Sequence, residues 1–203
     1  MNFCNKCEIL LYNNWYGFGE SRYCNDCWYK YTVKKDYKEI ARQLRITVLK
    51  MTFQAQSSHI GSNLSAVDIL TVLYDIADLT PIEGSITKDI VVVKSWAAAS
   101  VYACLVRKRL LPQEAVDRYG EEGTPWTTIL EPITLEHKCE DCNGKGDMIC
   151  KKCNDKGKYE TKPIIFGTGS MGYHLPAAVG FALAKKIKKE EGKVYCLISD
   201  GEL

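Results

Sequence analysis

The sequence has no surplus of charge of either sign, no long apolar run and no basic-then-apolar N-terminus. Its 203 residues carry 27 Lys and Arg against 25 Asp and Glu, a formal net charge of +2. A chain so near neutrality lacks the electrostatic footprint of a nucleic-acid or membrane-surface binder. No apolar stretch approaches the roughly 20 residues that a transmembrane helix needs. Without the pattern of a secretory signal the default expectation is a cytoplasmic protein with no membrane partner. The length suits one sizeable domain plus small modules.

What the sequence does have is cysteine. Of its 10 Cys, eight fall in four C-x-x-C pairs: Cys4 with Cys7, Cys24 with Cys27, Cys139 with Cys142, and Cys150 with Cys153. A tight turn between two thiolates aims both at one tetrahedral ion, so such pairs point to Zn²⁺. A single pair could be a redox motif. Four pairs with no thioredoxin-like context favour zinc, and the missing secretory signal counts against disulfides. Joining adjacent pairs closes much shorter loops than any crossed arrangement. The expectation is therefore two zinc sites, one in a ribbon over residues 1–32 and one in a hairpin inserted at residues 138–158. The ribbon is too small to hold a core without metal. Its aromatics, among them Trp15, Tyr16 and Trp28, are expected to pack around the metal or onto the main domain. So few cations accompany them that nucleic-acid binding is the weaker reading. Cys104 and Cys196 lie in apolar stretches and read as inert core thiols.

The rest of the chain alternates helical and strand-like stretches. Ile40, Leu44, Val48, Met51 and Ala55 recur at three- and four-residue steps, predicting an amphipathic helix over residues 33–56. Ser65 to Asp68 has the spacing of a capping box, predicting a helix from there to about Asp78. Ile90 to Val93 is a short β-branched run of the kind found in buried parallel strands. Residues 97–111 read as helix, and a further helix is expected from Leu111-Pro112 to Tyr119. Residues 123–138 read as irregular.

The C-terminal stretch organises the whole. Gly167 to Gly172 forms a glycine-rich turn opening a helix, whose small residues (Ala177, Ala178, Gly180, Ala182, Ala184) predict close packing against a neighbour. The Lys185–Lys189 run reads as its solvated end, complementing the helix dipole. Gly192 is expected to stop it. The strand Val194–Ile198 follows, with Ser199-Asp200-Gly201-Glu202 at its carboxyl end. In open α/β sheets ligands bind beyond the carboxyl ends of the strands. A glycine turn at a helix N-terminus offers N–H groups to phosphate, and a strand-end Asp suits a Mg²⁺ that also holds phosphate oxygens. The pattern predicts a diphosphate-and-magnesium site.

At these residues the chain resembles a known family. TGSMGYHLPAAVGFALA is similar to a glycine-rich segment of transketolases, and SDGEL to the GDGE that opens their thiamine-diphosphate fingerprint. Ser57-Ser58-His59-Ile60-Gly61-Ser62 resembles the family's SGHPGS, and Lys88 to Ala97 resembles its RDRFILSKGHA. The four segments keep the family order and span roughly Tyr37 to Leu203, interrupted by the cysteine-bearing insertion. The resemblance implies an α/β fold with a parallel sheet and flanking helices, C-terminally incomplete, bearing the two zinc modules. It implies thiamine diphosphate and Mg²⁺ as cofactors and transfer of a two-carbon ketol unit between sugar phosphates. Asp200 would ligate Mg²⁺, Gly169 and Gly201 would bring backbone close to the cofactor, and His59 would face both cofactor and reacting centre. His137 falls where the family places a substrate-channel histidine. His174 stands where the family usually has Gly and takes no assigned role.

The chain departs from the pattern at Ser95-Trp96, where the family has Gly-His. An indole has one donor, no acceptor and no positive charge to offer a diphosphate. The family's second metal ligand, an Asn, and its pyrimidine-binding domain would both fall beyond Leu203. Thiamine diphosphate binding by residues 1–203 alone is therefore expected to be weak. The missing part would come from further sequence or a partner subunit, with a dimer when complete. The insertion CEDCNGKGDMICKKCNDKG resembles half of the zinc region of DnaJ-type chaperones. Two other readings remain open: a non-catalytic zinc-binding interaction protein on a transketolase scaffold, and another thiamine-dependent enzyme such as a deoxyxylulose-phosphate synthase.

Overall fold

The computed structural model describes residues 36–79, 87–138 and 158–203. The chain divides into two compact units, Met1–Tyr37 and Lys38–Leu203. Apart from Tyr37 itself, the elements below belong to the second. The expected zinc ligands lie outside the described residues: Cys4, Cys7, Cys24 and Cys27 of the ribbon, and Cys139, Cys142, Cys150 and Cys153 of the insertion.

Helix α1 (Tyr37–Gln54) buries Ala41, Leu44, Val48 and Met51. This is the three-and-four spacing that the sequence shows, and it turns the charged positions outward. Helix α2 (Ile60–Ile76) starts five residues earlier than the Ser65 capping box predicts. Ser65 instead bonds back to the Ser62 carbonyl within the helix, and Asp68 pairs with Arg45 of α1. The cap-like spacing is coincidental, because Asn63 is buried and bonded to Trp96 and Ser100, and Leu64 packs against the core, so tertiary contacts hold the turn before Ser65 in the helix. Helix α3 (Ala98–Arg107) follows a single 3₁₀ turn at Ser95–Ala97 and is buried from Ala98 through Leu105. Its Ala97-Ala98-Ala99 start lets α3 lie close on α2. Val48, Val67, Leu70 and Leu105 are completely excluded from solvent, each worth about 1.5–3 kcal/mol of transfer free energy. The helix expected from Leu111 to Tyr119 is only one turn, α4 (Glu114–Asp117).

Two small sheets carry the strands. Strand β1 (Ile90–Val93) pairs in parallel with β4 (Val194–Leu197), Ile90 opposite Val194 and Val93 opposite Leu197. Helix α5 (His174–Lys188) packs on this pair, with Ala178 and Phe181 against Ile90 and Val92. The fold is thus α/β, a parallel sheet flanked by helices. Residues 123–138 are not wholly irregular: β2 (Ile133–Lys138) and β3 (Lys158–Ile164) form an antiparallel hairpin, Lys138 opposite Lys158. The cysteine-bearing insertion therefore leaves and re-enters at directly paired positions.

The β1–β4 register is fixed at its amino end by a buried carboxylate. Asp89 accepts hydrogen bonds from the Asp78 and Lys193 backbone N–H groups, at 2.9 and 2.7 Å. Gly192, in the left-handed region at φ 102°, lies so close that a Cβ there would stand 1.8 Å from the Lys88 carbonyl oxygen. It lies in the turn that leads into β4 rather than ending the preceding helix, which stops at left-handed Lys189. Two expectations for α5 hold only in part: Ala178 packs and residues 186–189 are exposed, but the rest of each pattern differs. Gly180, Ala182 and Ala184 face outward, so only part of the small-residue set packs. Lys185 is not solvated: it is buried and donates to the Glu191 carbonyl, closing the turn before β4. Among the described residues no helix is long and apolar enough to cross a membrane.

Candidate functional site

Four segments meet beyond the carboxyl ends of β1 and β4: the start of α2, the Lys94–Ala97 turn, the Gly167–Gly172 loop and the Ser199–Glu202 turn. Their meeting follows from the parallel pairing, because Lys94 N–H bonds the Leu197 carbonyl and so aligns the two strand exits. The glycine loop is held from below. Gly167 lies against the Leu130 backbone, where a Cβ would stand 2.0 Å from the carbonyl oxygen, and Thr168 N–H donates to Ser95 Oγ at 2.8 Å. Met171 reaches from this loop to Gly201, within 3.5 Å of where a Cβ would sit.

His59 is the residue immediately before α2. Its ring lies on the indole of Trp96, centroids 4.2 Å apart and planes inclined by 41°. Its Nδ1 is buried and has no hydrogen-bond partner. A buried polar atom without a protein partner is costly, and it calls for a water, an ion or a ligand to satisfy it. Asn63, one turn into α2, is fully buried and joins the segments. Its Nδ2 donates to the carbonyls of His59 and Trp96, at 2.9 and 3.2 Å, while its Oδ1 accepts from Ser100 N–H at 2.9 Å. Ala97, at the start of α3, has no side chain with which to cap that helix. Asn63 supplies the cap from another element, in the manner of an Asn beside a helix N-terminus.

The strongest polar cluster is one that sequence reading left without a role. Ser95 Oγ stands 3.1 Å from His174 Nε2, and His174 Nδ1 stands 2.8 Å from Glu202 Oε1. Glu202 also accepts from Ser199 N–H and Ser199 Oγ–H at 3.0 Å each, and from Gly172 N–H at 3.4 Å. Burial alone would raise the Glu202 carboxyl. The bonds from the Ser199 backbone, His174, the Ser199 hydroxyl and the Gly172 backbone outweigh that and hold it below the usual carboxylate value. Ser199 and Glu202 form a reciprocal capping box around the 3₁₀ turn Asp200–Glu202. The Ser-x-x-Glu spacing was the signal that could have found Glu202. Nothing local marks Asn63 or the Ser95–His174 contact, which spans 79 positions.

Asp200 is exposed and its carboxylate makes no hydrogen bond or ion pair with the described residues. Gly169 and Gly201 are likewise exposed. Lys94 places a cation at the exit of β1, its ammonium 3.4 Å from Ser65 Oγ. A free carboxylate, an ammonium at the exit of β1, open glycine backbone and an orphaned imidazole nitrogen make a donor set that fits a metal-bound diphosphate. No cluster of three or more His, Cys, Asp or Glu able to hold a metal by itself occurs among the described residues. The four thiolates expected at each zinc site, Cys4, Cys7, Cys24 and Cys27 or Cys139, Cys142, Cys150 and Cys153, are not among those residues. His137 lies elsewhere, on β2 of the antiparallel hairpin. Its Nε2 is 2.7 Å from Thr161 Oγ1, and the residue lines a cavity of about 540 Å³ with Arg109, Gln113 and Glu136. Cys104 is buried, which pushes its thiol up to about 12, as expected of an inert core group. Cys196 is only partly buried, with its thiol raised by burial and by Glu202, and it bonds the His174 carbonyl at 3.6 Å.

No protein-family model matches the chain. Curated relatives do. The chain is 30% identical over 177 residues to a subunit of the apulose-4-phosphate transketolase of Actinobacillus succinogenes, covering 84% of this chain and 52% of that protein. To the corresponding apulose-4-phosphate transketolase subunit of Phocaeicola vulgatus it is 29% identical over 161 residues, 78% of this chain and 48% of the relative. The 6-deoxy-6-sulfo-D-fructose transketolase subunit SqwG of a Clostridium species is 26% identical over 170 residues, 82% and 52% of the two chains. The chain spans about half the length of these relatives. Their shared description supports a transketolase-type subunit, in agreement with the resemblance carried by the motifs.

Proposed function

We propose that this chain is the diphosphate-binding part of a transketolase-type enzyme that uses thiamine diphosphate and Mg²⁺ and works with further polypeptide. The observation that carries the reading is the meeting of the glycine loop with the Asp200 turn beyond the carboxyl ends of β1 and β4, with His59 set against Trp96 of the turn that follows β1. When bound, thiamine diphosphate supplies the carbanion chemistry by which a two-carbon ketol unit passes from a ketose phosphate to an aldose. The residues of this chain bind and orient. Asp200 offers Mg²⁺ a carboxylate, and such an ion keeps several waters while bridging to phosphate oxygens. Gly169 and Gly201 let backbone approach the diphosphate. Lys94 adds a cation, and His59 Nδ1 presents a hydrogen-bonding group toward the bound molecules. His137, on the hairpin and outside this cluster, takes no part in holding the diphosphate in this reading.

The described residues give Mg²⁺ one free carboxylate, so a second contribution from a partner or further sequence belongs to the same reading. The relatives are themselves described as transketolase subunits, which suggests such a partner, and a dimer is its natural form. The cysteine pairs are assigned to two Zn²⁺ sites. Cys4, Cys7, Cys24 and Cys27 would close the residue 1–32 ribbon, and Cys139, Cys142, Cys150 and Cys153 the residue 138–158 insertion. The protein acts in the cytoplasm in this reading.

The test is calorimetric titration of magnesium thiamine diphosphate into the full chain, alone and together with a polypeptide supplying the remaining half of the relatives' length. Weak binding alone, tight binding when joined, and loss of that binding in Asp200→Ala are expected. Binding by the joined protein that Asp200→Ala leaves untouched refutes the site. Absence of binding in both cases favours a non-catalytic zinc-binding scaffold, which the indole lying on His59 would then explain. Ketol transfer between sugar phosphates by the joined protein separates a transketolase from a deoxyxylulose-phosphate synthase, which would require a 2-oxo acid donor.

A further inference from the structure

Ser95, His174 and Glu202 have the spacing of a nucleophile triad, Oγ to Nε2 at 3.1 Å and Nδ1 to carboxylate at 2.8 Å. They cannot act as one. Ser95 is wholly excluded from solvent and His174 is 1% exposed, so no substrate carbonyl reaches the hydroxyl. Ser95 Oγ is also already an acceptor for Thr168 N–H. The value of the arrangement lies in what it connects. Thr168 and Gly172 belong to the glycine loop, Ser199 and Glu202 to the turn after β4, Ser95 to the exit of β1, and His174 opens α5.

The hydrogen-bond directions are mutually consistent in one protonation state. Thr168 N–H donates to Ser95 Oγ, Ser95 Oγ–H donates to His174 Nε2, and His174 Nδ1–H donates to Glu202 Oε1. Glu202 then accepts from Ser199 and Gly172 with its remaining lone pairs. Every partner is satisfied by a neutral imidazole carrying its proton on Nδ1. The ring is fixed further by Phe166, edge-on at 5.5 Å. Remove the imidazole and both Ser95 Oγ–H and Glu202 Oε1 lose a buried partner. Remove the hydroxyl and Thr168 N–H and His174 Nε2 lose theirs. Ser95 and His174 are two of the positions at which the chain departs from the pattern of the family it resembles, and they bond each other.

We propose that Ser95 and His174 are a mutually dependent pair of positioning residues which, through Glu202, join the glycine loop and the Ser199–Glu202 turn into one rigid cradle. The identity of what the cradle holds rests on the function proposed above, but the joining does not. The relay sets the distance between the loop that carries Gly169 and the turn that carries Asp200. It contributes to ligand affinity without touching the ligand.

The experiment compares the full chain with Ser95→Ala, His174→Gly and the double variant, without ligand, by amide hydrogen exchange at Thr168, Gly172, Ser199 and Glu202. Loss of one buried hydrogen bond is worth about a tenfold change in opening. Each single variant should therefore speed exchange about tenfold or more in both segments, including the one it does not touch. The double variant should be no worse than the worse single. Additive effects, or effects confined to the mutated segment, overturn the proposal. If His174→Gly does not fold, Ser95→Ala still decides, since faster exchange at Ser199 is expected from a change three hydrogen bonds away. Imidazole ¹⁵N shifts of the unaltered chain should show the Nδ1–H tautomer, and an Nε2–H tautomer refutes the relay. With magnesium thiamine diphosphate as probe, Ser95→Ala should weaken binding by the joined protein about tenfold. Failure of even the unaltered protein to bind would refute the proposed function, while the exchange result would stand or fall separately.

Discussion

Replacing Asn63 by Ala should cost about 2–6 kcal/mol, from two buried groups left without partners at about 1–3 kcal/mol each. The groups are the Trp96 carbonyl and the Ser100 N–H, between which the Asn63 carboxamide is inserted at 3.2 and 2.9 Å. The His59 carbonyl loses one bond as well, but keeps the Asn63 backbone N–H at 3.2 Å and so adds little. Asn63 is fully buried, so water cannot take its place without opening the contact between α2 and α3. In urea, with a slope of about 2 kcal/mol per molar, a loss of about 3 kcal/mol moves the unfolding midpoint down by about 1.5 M. Far-UV circular dichroism is the appropriate signal, because it follows the helices of the Lys38–Leu203 unit. Asn63→Asp should be at least as damaging, since it turns lone pairs toward the carbonyls of His59 and Trp96. A loss below about 1 kcal/mol for Asn63→Ala refutes the reasoning. It would mean that Ser100 N–H closes directly onto the Trp96 carbonyl and that the inserted carboxamide is dispensable.

Glycine substitutions should split by environment. Gly192→Ala, which combines φ 102° with a Cβ 1.8 Å from a carbonyl oxygen, should abolish soluble expression or lower the melting temperature sharply. Gly180→Ala, exposed on α5 with nothing within 4 Å of the new Cβ, should stabilise by about 0.5–1 kcal/mol. The Glu202 carboxyl is lowered in the fold from its ordinary 4.5, so its stabilisation is complete above that pH and disappears as pH falls through the lower folded value. The gap in melting temperature between the unaltered chain and Glu202→Gln should therefore be largest near neutrality and close below pH 4.5; a pH-independent gap refutes this. Elemental analysis should find two zinc ions per chain, falling to one in Cys139→Ser with Cys142→Ser, and also to one in Cys4→Ser with Cys7→Ser. A metal-free chain refutes the assignment of the cysteine pairs.

The legible part of this protein was whatever depends on residues close in sequence. The apolar spacing of α1 reports its buried face because a helix repeats every 3.6 residues. The β-branched run at Ile90–Val93 and the apolar Val194–Leu197 show as strands for a similar reason, and their ends mark where ligands gather. The sequence misled where two local signals competed. The Ser65–Asp68 spacing suggested a helix start, but the buried bonds of Asn63 to Trp96 and Ser100 and the packing of Leu64 carry the helix back to Ile60. The alanines and glycine of α5 suggested tight packing on a sheet, yet only Ala178 among them is buried. Tertiary bonds such as Asn63 to Ser100 leave no trace in either partner's neighbourhood.

The same distinction decides how the Ser95-Trp96 departure should be weighed. Read along the chain, it is the loss of a Gly-His pair and an argument for decay. In three dimensions the two residues answer to different neighbours. Trp96 points to His59 and lies on its ring at 4.2 Å, whereas Ser95 points the other way, to Thr168 and His174. Restoring Gly at 95 together with His at 96 would therefore not recover one ancestral feature. It would remove the indole from His59 and at the same time strip His174 of its partner, with opposed effects on the same cradle. Trp96→His alone is the substitution that asks whether the indole obstructs the diphosphate. It should raise the affinity of the joined protein for magnesium thiamine diphosphate, while the pair change with Ser95→Gly should give back that gain. A pair change that binds more tightly than Trp96→His alone would show that Ser95 is no part of the cradle's support. Random decay has no reason to leave a fully satisfied chain of hydrogen bonds running from Thr168 through Ser95 and His174 to Glu202.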